Sequence, residues 1–128
     1  MFTFDQINDV HDQFGKANTL FQYAQALNAL GVIYVNSYVT DGRSEYFGKD
    51  GYVVKSPTHH KTFTVAEKSS EETFHKYMQL AKEGQLGYVK MSKGFAESGV
   101  EMWRIDTEKA TLTYYDKSGK QLLVEELS

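Results

Sequence analysis

Apolar residues in the first thirty positions return at helical spacing. Phe4, Ile7, Val10 or His11, and Phe14 make one stripe; Leu20, Tyr23, Ala24, Leu27 and Leu30 make a second. Each is the pattern of a helix with one buried face. Thr3 with Gln6 forms a capping box, and Phe2 and Ile7 occupy the staple positions, so the first helix is predicted to begin near Asp5 and to stop at Gly15. Thr19 with Gln22 repeats the capping pattern for the second helix, which Gly31 closes in a left-handed position. The period then changes to two. Residues 32–39 are β-branched and aromatic, Asp41-Gly42 is a two-residue hairpin signal before a strand at 43–47, and Gly48-Lys49-Asp50-Gly51 turns the chain into a third strand at 52–55.

The same order comes back further on. Ser69 with Glu72 predicts a cap for a helix that carries Phe74, Tyr77 or Met78, and Ala81, and ends near Gly84. Residues 87–98 follow as a fourth helix with Tyr88, Met91 and Phe95 inward, although Gly94 inside it costs about 1 kcal/mol relative to Ala. Gly99 stops it, and strands are predicted at 100–106, 110–115 and 120–127, with Asp116-Lys117-Ser118-Gly119 as the last turn. Residues 20–51 also align with 88–119 without a gap, at an offset of 68. Gly31-Val32 falls on Gly99-Val100, Tyr46-Phe47 on Tyr114-Tyr115, Lys49 on Lys117, and Gly51 on Gly119. These matches sit at a helix stop and a turn, where backbone geometry restricts the residue, which points to a duplicated unit.

One domain is expected, with repeat halves 1–55 and 69–128 and a connector at 56–68. The connector holds the sole Pro, the His59-His60 pair, and an alternating Phe63-Thr64-Val65 stretch that would add an edge strand. The expected fold is α+β: two helix-helix-β-meander repeats forming a pseudo-two-fold antiparallel sheet with helices packed on one face. With two-residue loops at Asp41-Gly42 and Lys49-Asp50, alternation puts Ile33, Val35, Val39, Tyr46 and Val53 on one face, and Tyr34, Tyr38, Phe47, Tyr52 and Val54 on the other. Neither face is plainly polar. A second apolar face implies cover from the connector, a partner surface or a ligand floor.

Composition narrows the setting. A chain of 128 residues with 41% apolar content can bury a sizeable core. It has no cysteine, so disulfides and thiolate metal sites are excluded and a cytoplasmic location is expected. Met1-Phe2-Thr3-Phe4-Asp5 lacks the basic flank and apolar stretch of a signal peptide, and no run approaches the ~20 apolar residues that span a bilayer. No membrane association is expected. The net charge of −3 is spread along the chain, and Lys76, Lys82, Lys90 and Lys93 are interleaved with Glu71, Glu72, Glu83 and Glu97, so a nucleic-acid partner is not expected either.

The stretch from Tyr38 through Gly42-Arg43-Ser44-Glu45-Tyr46-Phe47-Gly48 to Tyr52 resembles the central segment of an uncharacterised bacterial family, the domain of unknown function 1398. Ala29-Leu30-Gly31-Val32, Gly99-Val100-Glu101-Met102-Trp103 and Thr113-Tyr114-Tyr115-Asp116-Lys117 extend the resemblance along nearly the whole chain. The resemblance implies a small α+β domain of bacterial or prophage origin. Some members carry the label phage envelope protein, a name with no mechanism attached, and no functional residue carries over.

Candidate chemistry is sparse. His59-His60 is the first place to look for a metal or an acid-base group. Adjacent residues on an extended segment point to opposite sides, however, and no histidine pair has the i, i+4 spacing of a helical metal site. No metal or cofactor is expected. Gly48-Lys49-Asp50-Gly51 leads into a strand rather than a helix, so it reads as a turn and not as a phosphate loop. Trp103 reads as core. There is no Gly-x-Ser-x-Gly nucleophile motif and no paired-glycine dinucleotide signature. The leading expectation is a binding or protein-interaction module that uses Tyr34, Tyr38, Phe47 and Tyr52 with Arg43 and Glu45 beside them, its partner a second copy or another protein. The alternative is a small hydrolase or ligand-binding enzyme whose site lies in the connector, with His59 or His60 beside Asp41, Glu45 or Arg43.

Overall fold

The computed structural model describes residues 2–14, 19–58, 61–85 and 87–127. The capping box closes as its residue types dictate: Thr3 N donates to Gln6 Oε1 at 2.9 Å, and Gln6 N donates to Thr3 Oγ1 at 3.2 Å. Helix α1 follows over Phe4–Phe14, with Phe2 and Ile7 buried. Helix α2, Leu20–Leu30, buries Tyr23, Ala24 and Leu27. Its expected cap does not form. The Thr19 hydroxyl donates instead to Phe14 O at 2.6 Å, tying the start of α2 to the end of α1. Helix α3, Glu71–Lys82, is capped by Ser70 rather than Ser69: Thr73 N donates to Ser70 Oγ at 3.3 Å, and Thr73 takes the place expected for Glu72. Met78, not Tyr77, is the deeper residue beside Phe74. Helix α4 spans Tyr88–Glu97 and buries Phe95 and Ala96.

Six strands, β1 (Tyr34–Tyr38), β2 (Ser44–Phe47), β3 (Val53–Lys55), β4 (Val100–Asp106), β5 (Thr111–Asp116) and β6 (Gln121–Glu126), form one sheet in the order β3-β2-β1-β4-β5-β6. Every neighbouring pair is antiparallel. The two meanders therefore meet along β1 and β4, where Tyr34 faces Asp106, Asn36 faces Arg104 and Tyr38 faces Met102.

Turn lengths differ from the sequence expectation, and one difference matters more than the other. Ser37 opposes Ser44, and Tyr38 N donates to Arg43 O, so the first loop is 39–42 and not Asp41-Gly42 alone. That moves the register by two and leaves the faces unchanged. At the second turn Gly48 N donates to Tyr52 O, and Lys49–Gly51 forms a single 3₁₀ turn with Asp50 at φ 58° and Gly51 at φ 78°. The odd residue turns β3 over. Val54 opposes Tyr46 and Val53 opposes Phe47, the reverse of the expected faces. Tyr52 likewise leaves the aromatic face and meets Phe2 edge-on at 4.8 Å, its hydroxyl donating to Phe2 O at 2.5 Å. Phe63-Thr64-Val65 adds no strand; Phe63 N donates to Thr40 O and Ala66 N to Ala96 O, which fasten this stretch as coil with Val65 buried.

All four helices contribute to a core built on one side of the sheet, against Val35, Tyr46, Ile105, Leu112 and Tyr114. Phe74 packs on Tyr114 with ring centroids 5.1 Å apart, and Phe95 packs edge-on against Tyr114 and the half-buried Trp103. Burial pushes the phenols of Tyr23 and Tyr114 upward, so both remain neutral in the core. Gly94 also finds its explanation here. A Cβ at that position would lie 2.3 Å from Tyr77 Cδ1, so the close approach of α3 to α4 requires the residue that weakens α4.

Gly31 and Gly99 both hold left-handed backbone, at φ 104° and 89°. The equal penalty that this similarity implies does not follow, because their surroundings differ: a Cβ at Gly99 would sit 2.6 Å from Ser69 Cα, whereas the nearest atom to one at Gly31 is Phe2 Cδ2 at 3.8 Å. Gly31→Ala is expected to cost about 1 kcal/mol through backbone strain alone, and Gly99→Ala about 2 kcal/mol or more because backbone must also move. Urea denaturation of the two variants checks the order; equal midpoints contradict it.

A helix-free sheet face as candidate functional site

Strand alternation directs Tyr34, Asn36 and Tyr38 away from the helices, and the pairing registers bring Phe47, Glu45, Val53 and Lys55 to the same side from β2 and β3. From the other half come Met102, Arg104, Asp106, Thr113 and Tyr115. Antiparallel sheets with one packed face usually leave the other polar. Here Tyr34 and Phe47 stack at 4.5 Å with planes 17° apart, and the guanidinium of Arg104 lies 4.6 Å from the centre of the Tyr34 ring. Arg104 Nε donates to Asn36 Oδ1 at 2.7 Å. The arginine is thus held from two directions.

Beside this array, Tyr38 donates its hydroxyl to Glu45 Oε1 at 2.9 Å, and Arg43 lies over the Tyr38 ring at 4.1 Å while bonding both carboxylate oxygens of Asp41. Lys55 approaches Glu45 at 3.8 Å. Burial raises the Tyr38 phenol and its bond to Glu45 raises it further, so it remains a proton donor at neutral pH and cannot act there as a base.

A shallow depression of about 290 Å³ opens next to Tyr38, with Met102, Arg104 and Tyr115 lining it and Glu101, Asp116, Lys117 and Gly119 completing it. Lys117 Nζ is paired with Glu67 Oε1 at 2.9 Å. Asp116 Oδ1 accepts from the Ser118 hydroxyl at 2.6 Å and from the backbone N–H groups of Ser118 and Lys120 at 2.9 and 3.0 Å. These bonds, the Ser118 hydroxyl foremost, hold the Asp116 carboxyl below its ordinary range and fasten the β5–β6 turn.

Of the residues singled out from sequence, Tyr34, Tyr38, Arg43, Glu45 and Phe47 gather on this face. Tyr52 is turned toward Phe2, and His59 and His60 lie outside the described residues. Of the side chains named beside those histidines, Asp41 bonds Arg43, and Glu45 accepts from Tyr38 and lies near Lys55. Among the described residues, no group of three or more His, Asp or Glu side chains is placed to hold a metal ion, and no helix is long and apolar enough to cross a membrane. Sequence reading missed Asn36, Met102, Arg104 and Tyr115. The offset of 68 carries the signal that would have found two of them, since it takes Tyr34 to Met102 and Phe47 to Tyr115; Arg104 corresponds to Asn36, itself overlooked.

The family model described as Protein of unknown function (DUF1398) matches residues 8–126, and the chain belongs to that family. No curated protein matches the chain. The matched span runs from within α1 to the last residue of β6, so it takes in the whole helix-free face.

The Asp116 turn gives this site a defined acid response. Its carboxyl titrates lower in the folded chain than in the unfolded one, so its stabilisation is present above the unfolded pKa and is lost as pH falls through the folded pKa. Asp116→Asn is expected to be less stable than the parent near pH 6 and to converge with it toward about pH 2. Thermal melts across that range check the sign; a constant difference at every pH overturns it.

Proposed function

We propose that the chain is a binding module whose recognition surface is the helix-free face of the sheet. The observation that carries this reading is the ordered array of Tyr34, Phe47, Arg104 and Tyr38 on the side where an antiparallel sheet would ordinarily be polar. Tyr, Phe, Met and Arg are the residue types that protein-binding surfaces concentrate, because they supply contact area with few rotatable bonds or with a planar donor fork. Val53 and Val124, 36% and 51% exposed, extend the apolar area toward both edges. A fragment screen by NMR on the isotope-labelled full chain tests the reading. Binders are expected to shift resonances of Tyr34, Tyr38, Phe47, Met102, Arg104 and Tyr115; binders that cluster on α1–α4 instead overturn it. Concentration-dependent broadening of the same resonances without any fragment identifies a second copy of the chain as the occupant.

We further infer that the scaffold is a duplication with an approximate two-fold axis between Asn36 and Arg104. In support, the offset of 68 maps the β1–β4 register onto itself: the pair Tyr34 and Asp106 becomes Met102 and Tyr38. It also exchanges the seam's end bonds, Val39 N to Glu101 O at 2.9 Å and Thr107 N to Ile33 O at 3.0 Å. Positive φ recurs at the same offset, at Gly31 and Gly99, Gly51 and Gly119, and Gly42 and Ala110. Ala110, at φ 54°, is then the one member of these pairs that carries a side chain where its mate is glycine. Ala110→Gly is expected to raise stability by about 0.5–1 kcal/mol in urea denaturation, relief of left-handed strain exceeding the entropy gained by the unfolded chain. A loss of stability counts against equivalence of the two hairpins.

A further inference from the structure

Arg104 differs from four other cations of the described surface in what holds it. Arg43 is paired with Asp41, Lys55 with Glu45, Lys82 with Glu125 and Lys117 with Glu67. Arg104 makes no ion pair with a carboxylate among the described residues; its hydrogen bond from Nε goes to the neutral amide of Asn36, and its plane rests on Tyr34. Those two contacts orient the guanidinium while leaving its terminal N–H donors for water or a ligand. A planar fork fixed in this way matches the two oxygens of a carboxylate.

The walls decide what else the ligand must be. Met102, Tyr115 and the Tyr38 ring line the depression that Arg104 borders, and its volume of about 290 Å³ accommodates a body about the size of a single ring. Across the β1–β4 seam the positions related by the 68-residue offset to Met102 and Tyr115 are Tyr34 and Phe47, which stack on each other. Charge sets a further limit. Lys117 is paired with Glu67, Lys120 offsets Asp116, and Glu101 adds negative charge at the rim, so the lining offers one cation outside those pairs, Arg104. A multiply charged anion such as a phosphate ester is disfavoured, and a single carboxylate is not.

We propose that this depression binds a small monocarboxylate with an apolar body, its carboxylate on Arg104 and its body against Met102 and Tyr115. The proposal rests on the reading of this face as a recognition surface and narrows it to one site and one ligand class. Phenylacetate is a suitable probe, titrated into the isotope-labelled full chain by NMR beside uncharged phenylacetamide and dianionic phenyl phosphate. Saturable shifts are expected at residues 101–104 and 115–119 with phenylacetate, and at least about tenfold weaker binding of both controls. Arg104→Gln is expected to weaken phenylacetate about tenfold or more, and Arg104→Lys by less, since it keeps the charge and loses the fork. Equal binding of the amide, unchanged binding by a folded Arg104→Gln chain, or no saturable shift with phenylacetate overturns the proposal. The amide comparison in the parent chain decides the matter even when Arg104→Gln does not fold. Saturable shifts confined to Tyr34, Phe47 and Val53 overturn this site while sparing the recognition surface, whereas shifts confined to the helices overturn both.

Discussion

The antiparallel pairing of β1 with β4 is the constraint on which the rest of the molecule depends. A three-stranded meander with two short helices has little apolar surface to bury alone, and isolated small sheets are marginal in water. Joining the halves edge to edge makes one six-stranded sheet and a common core in which Phe74, Phe95 and Tyr114 pack beside Tyr23, Leu27 and Tyr46. The seam satisfies its own polar groups. Thr107 Oγ1 bonds to Val32 O at 2.6 Å, and Asn36 is met by Arg104 from the facing strand. Buried polar groups without such partners would weaken the joint rather than make it.

Once the helices occupy one side of that sheet, the parity of each turn determines what the other side displays. The 39–42 loop preserves the expected faces and so leaves Tyr34, Tyr38 and Phe47 exposed together. The 3₁₀ turn at Lys49–Gly51 adds one residue, which sends Tyr52 and Val54 to the helix side and brings Val53 and Lys55 out. A single residue in a turn thereby exchanges Tyr52 and Val54 on this face for Val53 and Lys55, and Lys55 lies near Glu45. The aromatic surface on the outer side is consequently concentrated on the inner strands, each paired on both sides.

Much of this was legible in the sequence. The 3.6-residue stripes locate all four helices, and the β-branched runs locate all six strands to within about two residues, because periodicity reports burial directly. Caps and turn lengths were harder. Ser69 and Ser70 are chemically equal candidates, and the side chain that reaches Thr73 N is decided by where the connector enters. Gly48 and Gly51 permit a turn of two residues as readily as one of three, so the face of Tyr52 was beyond what the local residues determine. Arg104 was hidden for another reason: the bulge between Val100 and Met102 breaks the alternation of β4, so no clean period assigns it a face. Gly94 looked like a weak point of α4 because the ring that covers it, Tyr77, comes from a different helix.

Arg104 fastens the seam, and the proposed site asks a second task of it that pulls in a different direction. Toward Asn36 it helps to fasten the central strands, a task that a well-packed apolar residue can perform without the cost of a half-buried charge. It also borders the depression, and no carboxylate among the described residues is paired with it. A charged residue in the middle of a sheet, oriented by a neutral amide and an aromatic ring rather than paired with an acid, is the arrangement on which the proposed site rests. Arg43, Lys55, Lys82 and Lys117 show the contrast. Each is tied to a carboxylate at the surface, where such pairs are worth at most about 1 kcal/mol. The same acids placed beside Arg104 would close the fork, and the proposed site would keep its apolar walls and lose the group assigned to orient a ligand.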